Sequence, residues 1–286
     1  MRGVRSIRER HGLPELNELG PELAHVRRWE VALSLAVLFA CLGIYGLCAS
    51  LGWWPAAVLG VVLLSFFTYG SISHDLVHGN LGLPRRLNDT LLCLTELLAV
   101  RSGHAYQAAH LHHHARFPAE DDIEGAASGM GFWRTIGEGI ILQPRLWLWA
   151  IRHRRPRRGW IWFEGVACVA IVLGSLAALP LTVLPAVYVG LVIAGSWIIP
   201  LTTSYVPHDV HADAPLRQTR LFRGRLFSLI AIEHLYHLDH HLYPQVPHHH
   251  WAKLARRLDP YFEKAGVEPV RVGKRKGAVR RADEDR

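Results

Sequence analysis

The chain has 286 residues, of which 50% are hydrophobic and 20% are charged, so its apolar residues must be concentrated in long segments. A formal net charge of +8 could indicate nucleic-acid binding, but the same excess suits a protein beside anionic lipid headgroups, and we expect no nucleic-acid partner. The four cysteines lie singly in apolar runs without CxxC spacing, which indicates inert buried thiols.

Two uncharged segments near the N-terminus are long enough to span a membrane. A helix formed by residues 31–51 or by residues 54–72 would be long enough to cross a hydrocarbon core of about 30 Å. The N-terminus is charged as far as Glu30, and the apolar run that follows is longer than the core of a typical secretory signal. We therefore expect no cleavable signal and a first span that stays in the protein.

A shorter apolar stretch runs from Leu91 to Val100 and contains Glu96. It is too short to span the membrane, and its length and composition are typical of an interfacial or re-entrant helix. We therefore do not count it as a span.

A second pair of long apolar segments follows at residues 161–179 and 181–203, with Pro180 and Pro185 marking the turn between them. Together with the first pair, these segments predict an all-α integral membrane protein with four transmembrane helices in two hairpins.

Basic residues precede the first span, precede the third and follow the fourth, whereas the turn within each hairpin carries none. The positive-inside rule then predicts that both termini and the long loop of residues 73–160 are cytoplasmic. We expect the protein in the cell inner membrane, with its histidine clusters on the cytoplasmic side.

Three histidine clusters lie beside or between the apolar segments, with the patterns HxxxH, HxxHH and HxxHH. On a helix, spacings of three and four residues place side chains on one face, so each cluster could aim its imidazoles at a common point. Neutral imidazole is a common ligand of iron, zinc and copper. Eight such ligands exceed what one metal ion could accept, and therefore predict two ions beside a membrane. The eight residues are His74, His78, His110, His113, His114, His237, His240 and His241.

Other polar residues lie near the clusters, and each has its own expected environment. His112 is off the face that its neighbours share, and we expect it to face solvent. Asp75 and Asp239 lie inside clusters, where each could orient an imidazole through its other ring nitrogen or be exposed. His234, one turn before the third cluster, could lie behind the ligands, and His248–His250 are expected to form a polar surface run.

The order of these motifs resembles the membrane fatty-acid desaturase superfamily, which includes acyl desaturases, alkane hydroxylases, and carotenoid ring hydroxylases and ketolases. The matching features are an apolar hairpin, HDLVH, a loop with HLHHH, a second hairpin, and HLDHH followed by LYPQVP, over residues 30–265. The resemblance implies a non-haem di-iron centre, held by histidines at the cytoplasmic membrane surface, that activates O2 to attack an unactivated C–H bond.

Smaller motifs are similar to those of carotenoid β-ring hydroxylases and ketolases. The element Tyr205–His208 resembles their Pro-His motif, Pro244 and Pro247 resemble their HHxxPxxP ending, and residues 120–124 resemble the acidic run after their second cluster. Acyl desaturases also have proline after the third cluster, and Asp209 replaces the arginine that follows Pro-His in the carotenoid enzymes.

The superfamily often supplies an extra histidine or asparagine between the fourth span and the third cluster. The resemblance therefore implies that His208 is a ninth metal ligand, with His211 as the competing candidate. No catalytic side chain is expected beyond the metal ligands.

The sequence and the resemblance together predict one membrane domain over residues 1–286, with a polar tail from Gly273 to Arg286. The expected function is O2-dependent oxidation of a long hydrocarbon lipid, with a carotenoid ring favoured and fatty-acyl desaturation as the alternative. Neither GxGxxG nor a haem-attachment pattern occurs, so we expect electrons from a separate donor such as a ferredoxin or a cytochrome.

A non-enzymatic alternative is a membrane protein that binds or carries zinc or copper. Transport would predict polar residues near the middle of the spans. The middle parts of the four predicted spans contain essentially none beyond serine and threonine, which disfavours this function.

Overall fold

The computed structural model describes residues 8–224 and 236–271, and this part of the chain is mostly helical. His234 and the predicted tail Gly273–Arg286 lie outside the described residues. The helices are, in chain order, α1 (Arg28–Ser50), α2 (Trp54–Phe67), α3 (Ser73–His78), α4 (Arg85–Leu98), α5 (Gly103–Arg116), α6 (Phe132–His153), α7 (Arg158–Ala177), α8 (Leu184–Ser196), α9 (His237–Leu242) and α10 (Trp251–Lys264). Two short parallel strands, β1 (Phe222–Arg223) and β2 (Val270–Arg271), pair near the end of the described chain.

Four helical stretches are long and apolar enough to cross a membrane, which confirms the predicted number of spanning helices. Their outer surfaces expose large apolar side chains, such as Leu47, Val62 and Leu173. Contiguous apolar surface of this kind needs hydrocarbon rather than water around it. The four stretches are Pro21–Ser50, Trp54–His78, Arg158–Ala177 and Leu184–Tyr205.

Two of these helices extend beyond their predicted ends through π-helical turns. The turn Thr68–Ile72 joins α2 to α3, and the turn Leu201–Tyr205 follows α8. A π-turn inserts an extra residue, which shifts the helix face on which the following side chains lie, and such turns are frequent at functional sites. In this chain, a histidine follows each π-turn within three residues, His74 after the first and His208 after the second.

The turn between α7 and α8 is longer than predicted. The helix α7 ends at Ala177 and α8 begins at Leu184, so the fourth spanning helix starts three residues after the predicted residue 181. The reason is Pro185, which lies in the first turn of α8, where the absence of its N–H costs nothing.

The segment between the second and third spanning helices, expected to be a long loop with one interfacial or re-entrant helix, contains three helices. The apolar stretch from Leu91 is the second half of α4, which buries Leu92, Cys93 and Glu96. The helix α6 was not predicted, and it packs closely against α8: a Cβ atom added to Gly139 would overlap the carbonyl group of Trp197.

The C-terminal helices α9 and α10 share an apolar core with the N-terminal segment. Leu23, Trp251 and Phe262 are fully or almost fully buried in this core. The Tyr243 hydroxyl donates a hydrogen bond of 2.7 Å to the carbonyl oxygen of Pro14. These contacts fix α9, which carries the third histidine cluster.

Candidate metal centre

The nine predicted ligand histidines fall into two groups, within each of which the ligand nitrogens lie no more than 4.8 Å apart. Most of these side chains are buried. The five-histidine group comprises His74, His78, His110, His114 and His240, and the four-histidine group comprises His113, His208, His237 and His241.

Nitrogen atoms in the five-histidine group lie at short distances from one another. The Nε2 atom of His110 is 3.1 Å from Nε2 of His74 and 3.1 Å from Nε2 of His114, which is 2.8 Å from Nε2 of His240. The Nε2 atom of His78 is buried and has no hydrogen-bond partner among the described residues. Its ring centroid lies 4.8 Å from that of His240.

The four-histidine group has the same geometry. The Nε2 atom of His241 is 3.0 Å from that of His237, 3.3 Å from that of His113 and 3.4 Å from that of His208. The two groups adjoin, since the ring centroids of His114 and His241 are 4.4 Å apart.

These distances fit bound metal ions. Two nitrogens bound to one ion at about 2.1 Å, with an angle of about 90° between them, lie about 3.0 Å apart. Imidazole lone pairs that converge at this distance repel one another, and a cation at the point of convergence removes the repulsion. The two groups therefore have the donor set and the spacing to hold two metal ions side by side.

The helix α5 contributes to both groups. His110 and His114 are four residues apart, lie on one face, and belong to the five-histidine group. His113 points to the other side and belongs to the four-histidine group. The helix α9 repeats this division, with His237 and His241 in the four-histidine group and His240 in the five-histidine group.

The two histidines of α3 thus lie in one group, whereas the histidines of α5 and of α9, each of which could have converged on a common point, are divided between the two groups. In an HxxHH pattern on a helix, the last histidine is rotated by about 40° around the axis from the first, whereas the middle histidine, at i+3, is rotated by about 60° in the opposite direction. The middle histidine is thus free to reach a second ion.

Two carboxylates orient histidines of the two groups through the Nδ1 atoms. Asp122 accepts a hydrogen bond of 2.7 Å from Nδ1 of His113, and Glu124 lies 3.1 Å from Nδ1 of His110. Asp122 also accepts from the backbone N–H of Gly125, and Glu124 accepts from the hydroxyl of Tyr69. Carboxylates in this position fix the tautomer and the ring orientation of a metal-binding histidine, leaving Nε2 to face the metal.

Neither Asp122 nor Glu124 was singled out from the sequence as a site residue. The available signal was the acidic run of residues 120–124, which was noted only as a feature of the resemblance. The sequence could not show which of its carboxylates meets an imidazole, because that depends on the path of the loop after α5.

Asp75 and Asp239, the carboxylates that the sequence did single out, have other partners. Both are buried, so an exposed position is excluded. Asp75 accepts hydrogen bonds from the backbone N–H and from Nδ1 of His248, the latter at 2.6 Å. Asp239 accepts two hydrogen bonds, of 2.9 and 3.0 Å, from Arg223. Asp75 thus orients an imidazole that belongs to neither group, and Asp239 anchors α9 to β1.

Three further expectations about histidines can be compared with the structure. His208 belongs to the four-histidine group, whereas His211 is exposed and belongs to neither. His112 is half-buried against Trp149 instead of facing solvent, because α6 covers that side of α5. The run His248–His250 is half-buried rather than a simple surface feature.

Burial sets the protonation state of several of these histidines. Burial, reinforced by neighbouring imidazoles, lowers the pKa of His114, His240 and His241 well below its usual value, and burial does the same for the pKa of His208. These rings are therefore neutral near pH 7, which is the form that binds metal. Burial also lowers the pKa of His113, but its hydrogen bond to Asp122 and the charge of Asp122 outweigh burial and raise it overall.

Comparison with known protein families agrees with this geometry. Residues 49–271 match the family model described as fatty acid desaturase. The chain belongs to the fatty acid desaturase family. Among curated proteins, none matches the chain. Family membership, the four apolar helices and the histidine groups identify this family member as an integral membrane oxidoreductase with a site suited to metal ions.

A cavity of about 20 Å³ lies beside the five-histidine group of this desaturase-family protein. Its lining includes His74 and His240 from the group, together with Tyr69, Tyr106 and Trp251. Space for one water molecule requires about 10–15 Å³, so the cavity has room for a diatomic molecule or a water molecule.

Proposed function

We propose that this protein is a di-iron oxidoreductase that uses O2 to oxidise a C–H bond of a long-chain lipid taken from the membrane. The observation that carries the proposal is the pair of adjoining histidine groups in a desaturase-family chain. A structural zinc site normally takes four ligands and stands alone. Nine histidines in two adjoining groups exceed that number, which disfavours such a site.

In this proposal the five-histidine group holds one iron and the four-histidine group holds the other. Bound iron would supply the redox chemistry that activates O2, which imidazoles alone cannot do. Burial keeps the rings of His114, His208, His240 and His241 neutral. Glu124 and Asp122 fix the rings of His110 and His113. His208 acts as the ninth ligand.

We further propose that the four spanning helices form two hairpins, with both termini and the metal centre on the cytoplasmic side of the inner membrane. The distribution of basic residues supports this orientation. A cytoplasmic centre would be accessible to a separate electron donor, a ferredoxin or a cytochrome, and a basic face would favour an acidic carrier.

The favoured substrate is a carotenoid ring, which would gain a hydroxyl or keto group. The support is the sequence element Tyr205–His208, whose histidine belongs to the four-histidine group, together with the ending Pro244–Pro247. Fatty-acyl desaturation is the second candidate, and membership of the family is compatible with it.

One expression experiment distinguishes these substrates. The chain is produced, with a compatible ferredoxin and its reductase, in a host that accumulates β-carotene, and both carotenoids and membrane acyl chains are analysed. More polar carotenoids with ring oxygen are the expected result. New double bonds in acyl chains, with unchanged carotenoids, would replace the carotenoid assignment by desaturation. No change in either pool, despite two bound irons and a working donor, would contradict both substrate assignments.

A further inference from the structure

The cavity that His74, His240, Tyr69, Tyr106 and Trp251 line, called the metal-side cavity below, is too small for any lipid. At about 20 Å³ it has room for little more than one small molecule, whereas pockets that hold drug-sized ligands measure about 300–1,000 Å³. A long substrate can therefore bring only its reacting carbon to the histidines. The rest of the molecule needs a separate space.

Such a space exists between α6, α7 and α8. This groove has a volume of about 470 Å³ and is lined mainly by apolar side chains, among them Ile140, Trp147, Val169, Leu173 and Ile193. Val169 and Leu173 are also exposed on the outer surface of α7, so the groove opens toward the hydrocarbon of the membrane.

Most polar groups along the groove are engaged within the protein; an exception is Gln143, whose buried Nε2 atom has no hydrogen-bond partner among the described residues. Arg101 donates hydrogen bonds of 2.7 and 3.2 Å to Glu96, and Ser102 donates one of 2.7 Å to Glu164. The Ser196 hydroxyl donates to a backbone carbonyl. A polar ligand would have to break these bonds, whereas a hydrocarbon chain leaves them intact and gains apolar contact.

The groove and the metal-side cavity meet at one contact. Arg101 lines the groove, and its guanidinium lies 5.0 Å from the centre of the Tyr69 ring. Tyr69 lines the metal-side cavity and donates a hydrogen bond to Glu124, the carboxylate that orients His110. The contact between Arg101 and Tyr69 therefore joins the lining of the groove to the lining of the metal-side cavity.

We propose that the groove between α6, α7 and α8 binds the hydrocarbon body of the substrate, which enters from the bilayer. Its reacting end reaches the metal-side cavity once the Arg101 and Tyr69 side chains move aside. The proposal rests on the proposed function for the identity of the substrate. It adds the binding site and the chemical class of the part that is bound, a long chain without charged groups.

The helix α7 offers matched variants for the test. Val169→Trp and Leu173→Trp fill the groove, whereas Val166→Trp and Leu176→Trp place the same side chain at positions on α7 that are also exposed but do not line it. All four positions face outward, so the larger side chain should not disturb folding, and equal iron content in the purified variants verifies this.

Turnover of β-carotene, with acyl unsaturation followed in the same membranes, gives the first measurement. We expect the groove variants to lower kcat/KM by about tenfold or more, as a blocked apolar pocket does. The two control variants should stay within about twofold of the unsubstituted protein. Equal effects in both pairs, or no effect in either, would overturn the proposal.

Binding without turnover gives the second measurement. β-Carotene is achiral, and its visible absorption becomes optically active only when a chiral site holds it. Under anaerobic conditions without reductant, we expect β-carotene added to the iron-loaded protein to show this induced circular dichroism, and the groove variants to lose it while the control variants keep it. If acyl chains alone respond to the groove variants, the occupant is an acyl lipid.

The two measurements separate the two proposals. A protein that binds β-carotene in the groove but contains no iron would retain the groove and refute the di-iron function. A di-iron enzyme whose turnover and induced circular dichroism are insensitive to Val169→Trp would retain its function and refute the groove.

Discussion

His112 and His113 are neighbours on α5 with identical side chains, yet only His113 faces converging imidazoles. The His112 ring packs against Trp149, and its Nε2 atom lies 3.2 Å from the carbonyl oxygen of Asp121. The contrast makes a matched pair of variants. We expect His113→Ala to lower the iron content from about two to about one per chain and turnover by more than about 100-fold, because a ligand loss exceeds the effect of losing an outer partner.

His112→Ala should keep both irons and change turnover by no more than about threefold, since no ligand is removed. Elemental analysis of the purified variants and a turnover assay measure both quantities. Two irons in His113→Ala, or loss of iron in His112→Ala, would contradict the assignment of the four-histidine group. We expect substitution of His74, His240 or His241 by alanine to lower iron content and turnover as His113→Ala does, since each of these residues belongs to one of the two histidine groups.

Asp121 and Asp122 form a second pair of neighbours with different roles. Asp122 is buried and accepts a hydrogen bond from His113, whereas Asp121 pairs with the exposed Arg116. We expect Asp122→Asn to weaken iron binding or turnover by about 10–100-fold, because the amide no longer stabilises the Nδ1–H tautomer of His113 as a carboxylate does. Asp121→Asn should leave both unchanged. Iron titration followed by absorbance would reveal equal affinities if the carboxylate had no such role.

The sequence predicted the histidines of the site better than their surroundings. A histidine carries its chemistry in its identity, and spacings of three and four residues on a helix are enough to suggest convergence. The partner of a given Nδ1 atom depends on tertiary contacts. Asp239 lies inside the third cluster yet binds Arg223, and Asp122 lies nine residues after the histidine that it orients.

At the scale of elements, hydrophobic length predicted the four spanning helices, because about 20 apolar residues suffice for a span. The same measure could not predict the π-turns Thr68–Ile72 and Leu201–Tyr205, since an extra residue in a helical turn leaves the hydropathy unchanged. It also missed α6, which lies along the spanning helices and combines exposed apolar residues such as Trp133 with basic residues such as Arg152.

The orientation of the spanning helices can be measured with single cysteines in a chain whose four native cysteines are replaced by alanine. Trp53→Cys and Leu181→Cys place exposed thiols in the two short turns, and Asp121→Cys places one in the segment beside the metal centre. A membrane-impermeant maleimide should label Trp53→Cys and Leu181→Cys on intact cells and Asp121→Cys only after lysis. The reason is that segments rich in basic residues stay in the cytoplasm, and Asp121 lies in such a segment whereas the two turns have no basic residues. Labelling of Asp121→Cys on intact cells would reverse the orientation.

At the scale of the whole molecule, the metal centre joins parts of the chain that are distant in sequence. The five-histidine group draws on α3, α5 and α9, and the four-histidine group adds His208 from the segment after the fourth spanning helix. A metal bound by these groups would therefore link the spanning helices to the C-terminal helices. The sequence could suggest this link only through the number of histidines, since nothing in the spacing within one cluster specifies its partners in another.

Removal and replacement of the metal test this link independently of any substrate. A ligand present at 100 times its Kd stabilises the folded state by about 2.7 kcal/mol, which corresponds to about 4–5 °C in Tm for a chain of this size. We expect chelation of iron to lower the Tm by at least this amount, because nine converging imidazoles are then left without a cation. Ferrous iron should restore both Tm and turnover.

Zinc separates the structural effect of the metal from its chemistry. Zn²⁺ accepts imidazole nitrogen at about 2.0–2.1 Å but has no redox activity. We therefore expect zinc to restore the Tm of the metal-free protein without restoring turnover, and the variant His113→Ala to recover less Tm with either ion than His112→Ala. A Tm that is unaffected by chelation would show that the histidine groups hold no metal. Turnover in the zinc-loaded protein would exclude an iron-dependent oxidation.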